Sequence, residues 1–341
     1  MPTEDQKSIY RSAFGVTIVF SAGMFFGWPL SVIGAVFTAL FLQAPVAMPM
    51  AAFTKLFWTG FVLMAASFLI SAVAMPYPPV YLTLVALAII LSFVWSASGA
   101  GMLQGILALM AALMIPNLSL VSQDLAALMV FWVPMNILIA GAASRLMFAI
   151  FPAPPPTAAQ AAAAKAPPEF DPRRRIIRMS LVTVPFAILF FMSGASALLV
   201  LFFVAILSQQ LAAMPAAGKT VAKAMLTANL LGAAASIVCY EINVIAPVAL
   251  TPFLLIFFVC ITLGTLGKSQ HWLASSAGSA ITTVLIVYGG SISPFSDEAD
   301  VKSIVRVMQI AFAASFVIIA FIVVDEFWPE KQRKTAEAGQ G

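Results

Sequence analysis

The side chains that could do chemistry in this chain are few. Its single histidine, His271, has no second histidine or cysteine nearby to complete a metal site, and no acidic residue spaced for acyl transfer. A GxxxxGK[ST] phosphate loop is also missing, so the chain is not expected to hydrolyse a nucleotide. The sequence therefore argues against an enzyme, and neither a cofactor nor a metal ion is expected.

Glutamines recur at one position of a repeated phrase. LFLQAPVAMP at residues 40–49 is echoed by ILSQQLAAMP at 206–215, so that Gln43 aligns with Gln209. Polar groups in apolar helices are costly and tend to mark transport pathways. A lone amide could instead form an interhelical hydrogen bond worth about 0.6 kcal/mol. The repetition favours a shared functional position.

Charged residues extend this hypothesis to an anionic substrate. Lysines that follow the two glutamine phrases would attract an anion, although setting the topology explains them equally well. Arg306 would line an anion exit or extend its charge to the interface. Glu241 is the acid nominated for proton coupling. The predicted substrate pathway consists of Gln43, Gln209, Gln210, Asn229, Lys55, Lys219 and Arg306.

The composition explains where these residues must lie. The chain has 341 residues, of which 62% are hydrophobic and 9% charged, whereas a soluble domain has about 25% charged residues. Long apolar runs alternate with short polar breaks, and about 20 such residues cross a bilayer. We therefore expect an all-α polytopic membrane protein. The net charge of +4 comes from basic residues in loops, so nucleic acid is not an expected partner.

The apolar runs predict about twelve transmembrane helices. With the N-terminus inside, every basic residue except Lys302 and Arg306 falls on the cytoplasmic side, which places both termini there. The expected helices lie near residues 12–27, 29–44, 57–75, 79–96, 98–115, 125–150, 177–192, 195–211, 222–240, 245–263, 272–289 and 304–324.

These helices divide into two similar halves. Residues 1–152 and 176–330 would each form a six-helix repeat, joined by an Ala/Pro-rich cytoplasmic linker at 153–175 and followed by a disordered tail at 331–341. Six is an even number, so both halves insert the same way up as a parallel repeat. The opening hairpins, 12–48 and 178–214, are short and interrupted, which is typical of a transporter's binding site.

The segment RSAFGVTIVFSAGMFFGWPLSVIGAVFTALFLQAP, residues 11–45, resembles the opening of fusaric-acid-resistance-type proteins, a superfamily that includes aromatic acid exporters. The chain from Arg178 onward resembles a second copy. This resemblance implies export of aromatic carboxylates across a bacterial inner membrane, together with a periplasmic membrane-fusion-type adaptor. Larger members carry a cytoplasmic domain where this chain has only the linker, so it looks most like a compact branch of unassigned function.

The sequence thus favours an inner-membrane efflux component for small organic anions. Its expected partners are the substrate, the lipid bilayer and the adaptor, and a homo-oligomer is left open. The alternatives are a membrane scaffold that anchors a partner complex without transporting, or an anion channel. The major facilitator superfamily fits less well, because its charged loop between helices two and three is absent from QAPVAMPMAAFTKLF.

Overall fold

The computed structural model describes residues 3–98, 101–154, 172–192 and 218–292, with scattered positions between 308 and 326. Within these ranges every regular element is a helix, as predicted. The helices are α1 (Glu4–Phe26), α2 (Ser31–Leu42), α3 (Met50–Ala74), α4 (Pro78–Ala97), α5 (Met102–Val121), α6 (Gln123–Ile150), α7 (Pro172–Met192), α8 (Gly218–Ile245), α9 (Thr251–Gly267) and α10 (Ala274–Val284). A π-helical segment, Leu285–Gly289, then continues α10 to Ile292.

Several of these helices are suited to a bilayer. In the described part of the chain, seven are long and apolar enough to cross it, and the three shorter apolar ones are Ser31–Leu42, Ile176–Met192 and Thr251–Gly267. Large apolar side chains on their outer faces are exposed, among them Val73 and Phe258. Contact of such faces with hydrocarbon is favourable, whereas their exposure to water would be costly. The chain is a multi-pass helical membrane protein.

Ten of the twelve expected segments coincide with α1 to α10. The expected helix at 195–211 lies outside the described residues, and only scattered positions of 304–324 are described. One expected boundary was wrong, because the helix predicted to end at residue 115 continues as α5 through Pro116 to Val121. Proline removes one helical hydrogen bond, a loss that neighbouring helices can tolerate. Beside the proline, the Tyr81 hydroxyl of α4 donates to the Pro116 carbonyl at 2.5 Å, which joins α4 to α5 at this point.

Of the two helices in the opening hairpin, only α2 is short. α1 begins at Glu4, earlier than expected, because Thr3 and Gln6 form a capping box. α2 has 12 residues, about 18 Å of helix, whereas the hydrocarbon core is about 30 Å thick. The turn between the helices uses left-handed backbone at Gly27 (φ 60°) and Leu30 (φ 58°).

The first six helices form one packed bundle. α1, α2 and α6 contact one another, α3 packs on α5 and α6, and α4 packs on α5. Of the apolar part of α5, 78% is buried, so this helix lies near the centre of the bundle. Glycines allow close approach: a Cβ on Gly141 would lie 2.5 Å from Phe53 Cγ, and one on Gly34 would lie 2.5 Å from Asn136 Oδ1.

The later helices pack with one another, and on the first bundle, in pairs that correspond to those of the first six helices. α8 and α10 pack together, as α3 and α5 do, and α9 packs on α10 as α4 does on α5. α7 contacts α4, while α9 contacts α1. α10 and its π-helical segment also contact α2. The short helix α2 therefore contacts α10 and its π-helical segment.

Candidate functional site

A buried arginine lies where the start of α1 meets the end of α6. Arg11 is only 5% exposed, and its guanidinium carbon lies 4.0 Å from the centre of the Phe148 ring. Its Nη1 donates to the carbonyl of Phe151 at 3.3 Å, whereas its Nε has no hydrogen-bond partner in the described structure. The last carbonyls of a helix lack helical partners, so a cation is favoured there. Arg11 thus holds the end of α6.

Aromatic rings surround this contact. Phe14 stacks on Phe151 with the ring centres 6.0 Å apart and an interplanar angle of 11°. Phe14 also contacts Phe257 of α9 at 5.0 Å. Tyr10 lies 6.4 Å from Phe151. The cluster joins α1, α6 and α9 at one end of the bundle.

A cavity of about 350 Å³ adjoins the same place. Its wall is formed by Ala47, Met48 and Pro49 from the α2–α3 connection and by Arg145, Phe148 and Ala149 from α6. Arg145 and Phe148 are three positions apart, so they lie on neighbouring parts of one helix face. Phe148 therefore contributes both to the cavity and to the contact with Arg11. We call these residues, with Arg11, the arginine–aromatic site.

The arginine–aromatic site has the chemistry of an anion receptor. Arg145 is exposed, and within the described ranges it has no ion-pair partner. A guanidinium binds a carboxylate through two parallel hydrogen bonds, and a phenylalanine ring offers a surface on which an aromatic ring can pack. None of the six wall residues is acidic. The cavity lies within the common size range of ligand sites, about 300–1,000 Å³. Among the described residues, no three His, Cys, Asp or Glu side chains could hold a metal ion.

Gln43, the first of the predicted pathway residues, lies at the end of α2 and not in this cavity. Its Nε2 donates to the carbonyl of Gly278 in α10 at 3.2 Å. Its side chain therefore links the first bundle to the later helices. Gln43 is exposed, yet its amide is engaged in a contact between helices.

Asn229 likewise takes part in an interhelical contact. Its Oδ1 accepts a hydrogen bond from the Thr283 hydroxyl at 3.2 Å, in a buried seam between α8 and α10. In the same seam, Ser276 donates to the carbonyl of Ala224 at 2.9 Å. This is the interhelical arrangement that a lone amide in an apolar helix most simply adopts.

The remaining predicted residues do not form one described site. Lys55 is exposed near the start of α3. Glu241 was expected just past the end of its helix, but α8 continues to Ile245, and the Glu241 side chain is exposed. Lys219 belongs to the first turn of α8, and its side chain is not described. Gln209, Gln210 and Arg306 lie outside the described residues.

Sequence reasoning treated Arg11 and Arg145 only as markers of topology, and it did not single out Phe148. A signal was available: Arg145 and Phe148 share a helix face, and Pro152 marks where that helix must end. No sequence pattern indicated that Arg145 and Phe148 lie close to Arg11 and Met48, because the two pairs are far apart in the chain.

Residues 8–147 match the family model described as "Protein of unknown function (DUF2955)". The match covers all but the first residues of α1 and ends within α6, so it includes Arg11, Gln43, Lys55 and Arg145. No curated protein and no solved structure matches the chain. Since the family description assigns no activity, a functional proposal has to come from the geometry.

Proposed function

We propose that this chain is the membrane component of an efflux system for small organic anions, with aromatic carboxylates as the first class to test. The observation that carries the proposal is the cavity of about 350 Å³ in which Arg145 and Phe148 meet the Met48–Pro49 connection. A guanidinium and an aromatic ring three positions apart match the two halves of an aromatic acid.

The irregular helices support transport over a static role. α2 is too short to cross the hydrocarbon core, and it contacts the π-helical segment Leu285–Gly289 of α10. Interrupted helices are typical of transporter binding regions, and π-helical segments are frequent at functional sites. The cavity wall begins a few residues after α2 ends, so movement of α2 would reach it.

The proposal includes two parallel six-helix repeats with both termini in the cytoplasm. Two observations support it. The packing of α7 on α4 mirrors that of α9 on α1, as expected if the first helix of each half contacts the fourth helix of the other. Arg11 and Arg178, each near the start of the first helix of its half, are 5% and 3% exposed.

A bacterial inner membrane and a periplasmic membrane-fusion-type adaptor also belong to the proposal. They rest on the resemblance of residues 11–45 to the opening of fusaric-acid-resistance-type proteins. The family match to residues 8–147 includes this segment but brings no substrate or partner with it. Glu241, exposed at one end of α8, remains the carboxylate proposed for proton coupling.

Uptake of radiolabelled benzoate into inside-out vesicles, with and without a proton gradient, tests the proposal. Vesicles that contain the chain should accumulate benzoate, and Arg145→Gln should reduce this about tenfold or more, because a hydrogen bond to a charged group contributes about 1.5–3 kcal/mol. Lys268→Gln is the matched control, since Lys268 pairs with Asp5 and is not part of the cavity wall. Accumulation equal to that of vesicles without the protein would refute export of this acid.

Two further outcomes distinguish the alternatives. A scaffold should tolerate Gln43→Leu combined with Gln209→Leu, whereas a transporter that uses both glutamines should not. An anion channel should equilibrate benzoate without concentrating it, whether or not a proton gradient is applied.

A further inference from the structure

A second cavity, of about 550 Å³, lies between α3, α4 and α5. On α4 its wall runs from Tyr81 to Ser98, a distance of about 26 Å at 1.5 Å per residue. This is close to the thickness of the hydrocarbon core, about 30 Å. The space is therefore long and narrow and not globular. We call it the α3–α4 groove.

The α3–α4 groove opens between two helices that scarcely touch. α3 and α4 each pack closely on α5 but make few contacts with one another. The floor is formed by buried residues of α5, including Ala108 and Ala112 at 4% and 3% exposure. The rims are exposed apolar side chains in the middle of the spans, such as Ile70 on α3 and Leu91 on α4. In a bilayer this opening faces hydrocarbon.

The hydroxyl groups of Ser67, Ser92 and Tyr81 in the wall are already engaged. The hydroxyl of Ser67 donates to the Ala111 carbonyl at 2.6 Å, and that of Ser92 donates to the carbonyl of Ala88 at 2.7 Å. At the far end, the hydroxyl of Tyr81 donates to a carbonyl of α5. Among the described residues of the wall, none is charged. A carboxylate or an amide placed here would lose its hydration without gaining partners, which is costly.

We propose that the α3–α4 groove holds one acyl chain of a membrane lipid. A hydrocarbon chain needs no hydrogen bonds, it is the material that the exposed apolar rims face in a bilayer, and its narrow shape suits a narrow groove. A polypeptide segment would bring backbone groups that the wall cannot satisfy. Trp95 lines the groove within the last turn of α4, the level at which tryptophan marks a membrane interface, so the chain would enter there and extend towards Tyr81.

Quenching of Trp95 fluorescence by bromine tests this proposal. The other tryptophans, Trp28, Trp58, Trp132, Trp272 and Trp328, are replaced by phenylalanine, and the protein is reconstituted in phosphatidylcholine vesicles with a rising fraction of chain-brominated phosphatidylcholine. We expect half-maximal quenching at a lower brominated fraction than random mixing gives. Ala88→Leu, which fills the groove, should raise that fraction several-fold. Ala86→Leu, on the same helix but outside the groove, should leave it unchanged.

Identical quenching in all three proteins, following the bulk lipid composition, would overturn the proposal. Native mass spectrometry of the chain with all its tryptophans gives a second test that does not depend on the tryptophan replacements. A phospholipid should stay bound to each chain in mild detergent, be lost in Ala88→Leu and Ala112→Leu, and be kept in Ala86→Leu. A chain that retains no phospholipid in any form would also overturn it.

Discussion

The side-chain amide of Gln43 donates to the backbone carbonyl of Gly278, at 3.2 Å and across 235 residues of sequence. Glycine is suited to this position, because a Cβ there would lie 2.8 Å from Gln43 Oε1. The contact attaches the end of the short helix α2 to α10, the helix that continues into the π-helical segment. A residue chosen for its place in a repeat thus proves to join the two parts of the molecule.

Replacing Gln43 with leucine should lower stability modestly. The variant loses one interhelical hydrogen bond, and such bonds contribute about 0.6 kcal/mol on average in a membrane protein. The free energy of unfolding, measured by titration with a denaturing detergent, should fall by roughly that amount. Gln123→Leu is the control, because Gln123 is exposed at the start of α6 and no hydrogen bond of its side chain is described. An equal fall in both variants would contradict a stabilising role for the contact.

Gly141→Ala should be strongly destabilising. The new Cβ would lie 2.5 Å from Cγ of Phe53, a ring that is fully buried and has no room to move. Overpacking of this kind costs about 1–3 kcal/mol, which a thermal-shift assay in detergent would detect. Gly101→Ala is the matched control, since nothing lies within 4 Å of its added Cβ. Combining Gly141→Ala with Phe53→Ala, which removes Cγ and the whole ring, should cost less stability than the two single changes added together. Full additivity would argue against this clash as the cause.

Arg11→Met should loosen the end of α6. It removes the hydrogen bond to Phe151 and the charge over the Phe148 ring, which together stabilise the fold by about 1–2 kcal/mol. Hydrogen exchange of the last turn of α6 should rise more than that of α3. The control is Lys7→Met, since Lys7 forms a partly exposed pair with Glu4 that contributes little. Unchanged exchange at α6 would mean that Arg11 does not hold this helix end.

Cysteine labelling should place the start of α1 and the end of α9 on the same side of the membrane. Lys268 lies 3.2 Å from Asp5, so these two ends meet. Cys239 and Cys260 are 3% and 1% exposed, so they should give little background with a membrane-impermeant maleimide. In inside-out vesicles, Gln6→Cys and Ser269→Cys should both be labelled.

Gln123→Cys reports on the opposite side of the membrane. In the same vesicles, this cysteine should not react with the membrane-impermeant maleimide. α6 is about 42 Å long, more than the hydrocarbon core, and its other end contacts Arg11 near the start of α1. Labelling of Gln123→Cys together with Ser269→Cys would contradict this arrangement of α6. Labelling of Gln123→Cys alone would reverse the proposed orientation in the membrane.

The positions of most helices followed from the sequence, because helix placement in a membrane depends on local composition. Long apolar runs are sufficient to mark a span, and the expected segments coincide with α1 to α10 wherever the chain is described. The errors occurred at ends and breaks. The helix expected to end at residue 115 continues through Pro116 to Val121, because a proline within a bundle need not end a helix. The helix expected to end at residue 240 continues as α8 to Ile245, because apolar periodicity alone does not fix where a helix ends.

The sequence by itself determined that this chain crosses a membrane many times, because no other medium accommodates so many apolar residues with so few charges. It also showed which polar side chains were unusual. Only the tertiary structure decided what those side chains do. Gln43 and Asn229 contact α10, while Arg145 and Phe148 form a cavity with Met48, nearly a hundred residues earlier in the chain. Such contacts depend on how helices pack in three dimensions, and local sequence patterns carry little information about that packing.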